Sequence, residues 1–196
     1  IIVNQYGKNK WNFDFKRFGS LIDKRDGKKY NTVKIGNQVW MAENIAYNAE
    51  EGCWAYDNEK SNVKKYGYLY NWETAKEVCP DGWHLPSDKE WEQLAMYISK
   101  DKGPYEKKGD DWKNVGIHLK ATTGWEKDGN GTDDYDFSAL PGGYRNYNAG
   151  FSYEGNNGYW WSVTKSTWIN AWTRYLSYSN ATFYSYYTNK DYSFSV

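Results

Sequence analysis

Cys79-Pro80-Asp81-Gly82-Trp83-His84-Leu85-Pro86-Ser87-Asp88-Lys89-Glu90-Trp91 reads as a turn that delivers the chain to the start of a helix. Within Ser87-Asp88-Lys89-Glu90 the Ser hydroxyl can accept from an early helix N–H while the Glu carboxylate reaches back, the reciprocal pattern of a capping box. Trp91, Leu94, Ala95 and Ile98 follow at helical spacing, so roughly 88–99 is expected as an amphipathic helix with one buried face. Upstream, Asn71 stands before Trp72, Ala75 and Val78, predicting a short helix that ends at Pro80, where the ring removes a backbone donor. Further back, Thr32–Ile35 and Gln38–Met41 flank Gly36-Asn37, a two-residue connection suited to a β-hairpin.

Downstream the text changes. From Gly103 onward Gly, Asn, Asp, Ser and Tyr dominate, with short apolar bursts at 137–140, 159–163, 171–176 and 192–196, expected as short antiparallel strands separated by long loops. The order is therefore hairpin, two helices, then a loop-rich antiparallel β half: an α+β fold. In residues 1–20, Trp11, Phe13 and Phe15 alternate with Asn12, Asp14 and Lys16, the period of a half-buried strand. This segment is expected as an added strand or linker, packed on its own domain or docked on a neighbouring domain or subunit. Residues 21–196 suit one domain, because compact domains commonly hold ~100–200 residues.

Aromatic side chains make up 20% of the chain, with 12 Trp, 20 Tyr and 7 Phe, although the mean hydropathy is -0.99. The aromatics must supply much of the core. Lys plus Arg (25) balances Asp plus Glu (25), so no whole-chain field draws the protein to nucleic acid or anionic lipid. No run approaches the ~18 apolar residues of a membrane span. The chain opens at Ile1 rather than Met, which points to a processed or trimmed N-terminus. Cys53 and Cys79 fit neither a CxxC metal site nor a disulfide-dense miniprotein.

Several ordered segments resemble the Fibrobacter succinogenes major paralogous domain. They are Val33-Lys34-Ile35-Gly36, Trp40-Met41-Ala42-Glu43-Asn44, Tyr66-Gly67-Tyr68-Leu69-Tyr70-Asn71-Trp72 and Cys79-Pro80-Asp81-Gly82-Trp83-His84-Leu85-Pro86-Ser87. The later ones are Phe137-Ser138-Ala139-Leu140-Pro141-Gly142-Gly143-Tyr144-Arg145, Tyr159-Trp160-Trp161-Ser162 and Phe194-Ser195-Val196. The resemblance covers about residues 21–196. It implies a C-type-lectin-like fold and an address among secreted or surface proteins, lipoprotein-anchored ones included, of Bacteroidetes and Fibrobacteres. It implies no activity, since fold does not assign function. It also implies a disulfide from the Cys79 position to a terminal Cys, which has no counterpart here because the sequence stops at Val196. Cys53–Cys79 pairing is the alternative, subject to the Cα separation such a bond needs.

Catalytic signals are weak. His84 and His118 are the two histidines; neither has a metal-ligand spacing such as HExxH or a candidate nucleophile beside it. His84 is expected to be a hydrogen-bonded turn residue and His118 to face solvent. No nucleophile elbow, P-loop or dinucleotide fingerprint occurs, and the reactive cleft cysteines of formylglycine-generating relatives have no equivalent. The expectation is a binding protein, not an enzyme.

Two features suggest binding. Asp128-Gly129-Asn130-Gly131-Thr132-Asp133-Asp134-Tyr135-Asp136 places oxygen donors between glycines, as a hard cation such as Ca²⁺ requires. Its candidate ligands are Asp128, Asn130, Thr132, Asp133 and Asp134. The stretch lacks the sixth-position Gly and closing Glu of an EF-hand loop, so an Asx-rich turn is the other reading. Second, residues 159–196 are dense in aromatics and hold only four charged side chains, Lys165, Arg174, Lys190 and Asp191. Trp160, Trp161, Trp172 and Phe194 are expected in the core. Tyr147, Trp168, Arg174, Tyr178, Tyr184, Tyr186 and Tyr187 lie among small polar residues, the mixture of rigid aromatic contact and adaptable hydrogen bonding that antibody loops use. They are the candidate contacts of a glycan or protein ligand, gathered on one loop face. The competing expectation is an assembly domain of a larger surface protein.

Overall fold

The computed structural model describes residues 3–4 and 18–196. The expected strand carrying Trp11, Phe13 and Phe15 lies outside the described residues. Among the described residues fourteen strands and three α-helices follow in chain order. They are β1 (Val3–Asn4), β2 (Phe18–Ile22), β3 (Lys29–Ile35), β4 (Gln38–Met41), β5 (Cys53–Trp54), α1 (Lys60–Tyr66), β6 (Leu69–Asn71), α2 (Trp72–Glu77) and α3 (Asp88–Lys102). After them come β7 (Lys107–Lys108), β8 (Asp111–Trp112), β9 (Gly142–Arg145), β10 (Phe151–Glu154), β11 (Asn157–Lys165), β12 (Asn170–Ser177), β13 (Tyr184–Asn189) and β14 (Ser193–Phe194). The class is α+β, with mostly strands.

The expected hairpin is β3–β4, turning at Gly36, whose φ of 61° is one an L side chain rarely adopts. It lies in a four-stranded sheet of order β1-β4-β3-β2. The larger sheet runs β13-β12-β11-β9-β14-β6-β5, with β10 added to β9. Its pairings are antiparallel except β11 with β9, which is parallel.

Helix α3 starts where the capping box places it. Ser87 Oγ accepts from the Glu90 N–H and the Glu90 carboxylate accepts from the Ser87 N–H at 2.7 Å. His84 Nε2 bonds the same carboxylate at 2.9 Å, fixing the turn as expected. Burial works against ionisation of Glu90, but the His84 and Ser87 hydrogen bonds outweigh it and hold the carboxyl below its ordinary range. Trp91, Leu94, Ala95 and Ile98 are buried, and each large apolar side chain so placed contributes ~1.5–3 kcal/mol. Their partners are Val33, Ile35, Trp40, Phe137, Trp160 and Leu176. Helix α2 is capped by Asn71, which accepts from the Thr74 N–H at 3.0 Å.

Three buried indoles are tied down by their N–H groups: Trp72 donates to Ser162 O, Trp160 to Asn44 Oδ1 and Trp161 to Tyr70 O, at 2.8–2.9 Å. Trp160, Trp161 and Phe194 are core as expected, whereas Trp172 is half-buried against Tyr187.

Three expectations need correction. The 137–140 burst is not a strand: Phe137 is core, and only Ala139 makes a single bridge, to Lys120. Residues 184–189, expected as loop, form edge strand β13, since Tyr184, Tyr186 and Thr188 alternate with period two. His118 is buried, with Tyr105 Oη on Nε2 and Asp134 on Nδ1, both at 2.7 Å. Cys53 and Cys79 are free thiols, which agrees with a Cys79 that lacks its partner and not with the alternative Cys53–Cys79 bond. Burial pushes the Cys79 thiol up to about 12, which disfavours the reactive thiolate.

Candidate functional site

Three neighbouring strands of the large sheet build a row of tyrosines. Tyr159 on β11 pairs in register with Tyr175 on β12, and Tyr175 with Tyr184 on β13. Side chains directly opposite on adjacent strands share a face and touch, so the rings stack. Phe194 and Tyr159 lie 5.2 Å apart at 18°, Tyr159 and Tyr175 5.5 Å at 25°, and Tyr175 and Tyr184 4.4 Å at 6°. The next residues on this face are Thr173 and its partner Tyr186. The opposite face of β12 carries Leu176 and Arg174 toward α3.

Tyr144, Tyr153 and Tyr192 form a wall beside this row. Tyr144 is the hub, 5.3 Å from Tyr159, 5.6 Å from Tyr192 and 5.7 Å from Tyr153. Between ladder and wall lies an open cleft of 390 Å³, within the range of small-ligand sites, where ~300–1,000 Å³ is common. Asn157 projects an amide that donates to Tyr159 Oη at 2.7 Å, and Thr173 and Thr188 add hydroxyls.

No lining side chain is an acid, a base or a thiol; phenols are the sole titratable groups there. Burial pushes Tyr159 and Tyr175 up to about 12. Tyr144 is raised as well, by burial first and then by Tyr153 and Tyr192. At neutral pH the cleft is thus uncharged, with phenol O–H groups that both donate and accept. Stacking surfaces combined with hydroxyl and amide groups can hold a flat, uncharged, hydroxyl-bearing molecule.

The sequence model of the Fibrobacter succinogenes major domain matches residues 33–196, a span that contains the entire cleft and α3. The chain belongs to the Fibrobacter succinogenes major domain family. No curated protein and no solved structure matches it.

In this family member the expected ligand contacts divide. Tyr186 lines the cleft and Tyr184 ends its ladder. Tyr187 stacks on Tyr186 with centroids 5.3 Å apart, and Tyr147 leans on Tyr192 at 5.7 Å. Trp168 is not part of the lining; it stands alone at the β11–β12 turn, 94% exposed. Tyr178 is half-buried against the core with Lys127 over its ring. Arg174 is not on the surface: it is 1% exposed, paired with Asp88 at the start of α3 and bonded to Asp110 O. Sequence reasoning missed Tyr144, Tyr153, Tyr159, Tyr175 and Tyr192. The available signal was parity, since Tyr159 and Tyr175 alternate with the buried Trp160, Arg174 and Leu176.

Four of the five candidate cation ligands have protein partners. Asn130 Oδ1 accepts from the Trp125 N–H, Thr132 donates to Ile117 O, and Asp133 accepts from Ser138 N–H and Oγ at 2.8 Å each. Asp134 holds His118 and lies 3.4 Å from Lys102, while Asp128 takes a left-handed φ of 59°. Among the described residues no group of three or more acids, histidines or cysteines is arranged to hold a metal ion. The hydrogen bonds within the stretch fit the Asx-rich turn. Its glycines serve close packing, because a Cβ on Gly131 would strike the carbonyls of Ile117 and Lys120.

Proposed function

We propose that this domain is an extracytoplasmic binding module of C-type-lectin-like build, and that its tyrosine cleft takes an uncharged, hydroxyl-rich ligand, a neutral glycan. The observation that carries this reading is the composition of the cleft: stacked phenols, an amide and threonine hydroxyls around 390 Å³. Sugar rings present flat C–H faces to aromatic rings and equatorial hydroxyls to polar neighbours, and the ladder offers both. With phenols held protonated and no carboxylate or imidazole in the lining, the site lacks groups poised to move protons at neutral pH. Binding rather than catalysis is therefore the proposal.

A glycan array carrying neutral and acidic oligosaccharides tests it. Reproducible neutral hits that Tyr186→Ala and Tyr153→Ala both weaken are expected. Hits confined to acidic glycans, or neutral hits untouched by either substitution, would remove the cleft from the account.

The second reading is an assembly domain, and one observation favours it. Among the described residues β13 is an edge strand whose ladder partner is β12, with Tyr186 and Tyr187 exposed, no Lys or Pro to blunt it and one outward N–H, that of Ser185, held by Asp111. Concentration-dependent self-association in size-exclusion chromatography, without any glycan hit, would put this reading first.

A further inference from the structure

The hairpin joining β11 to β12 presents its apolar residues outward. Trp168 is 94% and Ile169 64% exposed, at adjacent positions of a short turn. That turn is held firmly. The Ser166 and Thr167 N–H groups donate to Asn170 O, the Lys190 N–H to Ile169 O, and Lys190 Nζ to Trp168 O at 2.6 Å. An indole and a butyl group kept in water by a braced backbone are costly to the folded chain, and a lone protruding Trp contributes nothing to its own core.

The charge beside the tip narrows the partner. Lys76, Lys165 and Lys190 converge around one buried indole, with their ammonium groups 4.2, 5.7 and 4.6 Å from the Trp72 ring. Lys76 is paired with Glu73. Among the described residues Lys165 and Lys190 have no carboxylate partner, and Asp191 is the other acid close in sequence. Set against Glu73 and Asp191, the three lysines leave a small local excess of positive charge in a chain of zero net charge.

We propose that the Trp168–Ile169 tip is a peripheral membrane anchor, inserting between anionic phospholipid headgroups while Lys165 and Lys190 meet the phosphates. Trp favours the headgroup level because its ring is apolar and its N–H remains hydrogen-bonded there. Lysines near an anionic surface add attraction that salt screens. A hydrophobic protein pocket would accept the same Trp, but would not by itself call for two lysines that have no carboxylate partner among the described residues. The anchor is independent of the cleft, whose lining contains neither residue.

Co-sedimentation of the whole chain with vesicles decides it, using pure phosphatidylcholine and phosphatidylcholine with about a third phosphatidylglycerol. Wild type should bind the anionic vesicles and lose them as salt is raised. Trp168→Ala should lower that binding about tenfold, and Lys165→Gln with Lys190→Gln should lower it on anionic vesicles only. Melting temperature and any cleft ligand should be unaffected by Trp168→Ala. Failure of wild type to sediment with either vesicle, or undiminished binding by Trp168→Ala, would overturn the proposal. Self-association that Trp168→Ala abolishes, without vesicle binding, would assign the tip to a protein partner instead.

Discussion

Arg174 and Tyr186 face each other's strands but have opposite roles, and each can be tested by one substitution. Arg174 is sealed under α3 with its guanidinium on Asp88, so Arg174→Ala leaves a half-buried carboxylate without its partner and is expected to cost ~3 kcal/mol. Denaturant unfolding should show that loss, with no specific effect on ligand. Tyr186 is 58% exposed at the cleft edge; Tyr186→Ala should weaken a bound sugar by about tenfold while the unfolding midpoint stays put. The reverse pattern at either position would mean that the two faces of β12 have been misassigned. Composition pointed to Arg174 as a ligand contact because it sits among Thr, Tyr and Ser. Its parity with Leu176 on a two-residue period was the signal that places it inside. Asp133 and Asp134 carry a similar lesson: spacing made them look like cation ligands, but spacing does not reveal that Ser138 and His118 already occupy their oxygens. Millimolar Ca²⁺ is expected to leave the melting temperature unchanged, and an EGTA-reversible rise would contradict that placement.

At the scale of elements, α3 was the most legible part of the chain, because cap, period and burial all point the same way. Ser87→Ala should cost ~1 kcal/mol through the lost cap, and Leu94→Ala ~2–5 kcal/mol through the cavity it leaves. The cap also gives an acid limb to stability. Glu90 has a folded pKa below its ordinary 4.5, so its contribution is complete above about that pH and is lost as pH falls through the folded value. Glu90→Gln should flatten this part of the pH–stability curve. The β half was less legible. Tyr, Ser, Thr and Asn suit loops by composition, and only alternation marks β13 as a strand; the 137–140 burst failed in the opposite sense, because Phe137 is buried by a loop rather than by a ladder. What sequence could not supply was register. The tyrosine ladder exists only because β11, β12 and β13 align Tyr159, Tyr175 and Tyr184 in one row.

For the whole molecule, the two larger sheets and α3 form a frame whose surplus aromatics line a cleft instead of filling a core. The phenols there link function to pH. Tyr159 and Tyr175 ionise near 12 in the fold against an ordinary 10. The stability tied to their protonated state is therefore full below pH 10 and lost as pH rises from 10 to 12. Ultraviolet difference titration should show a late-ionising tyrosine class that merges with the rest in denaturant. Affinity for a neutral ligand should be flat between pH 6 and 9, a range in which these phenols keep their protons. The most direct test of the central claim is a tyrosine-ring NMR spectrum of the intact chain, recorded while neutral oligosaccharides from the array are added. The account predicts saturable shifts in Tyr144, Tyr153, Tyr159, Tyr175, Tyr186 and Tyr192, with the buried Tyr30 and Tyr70 unmoved. Shifts confined to other rings, or none for any neutral sugar, would contradict it.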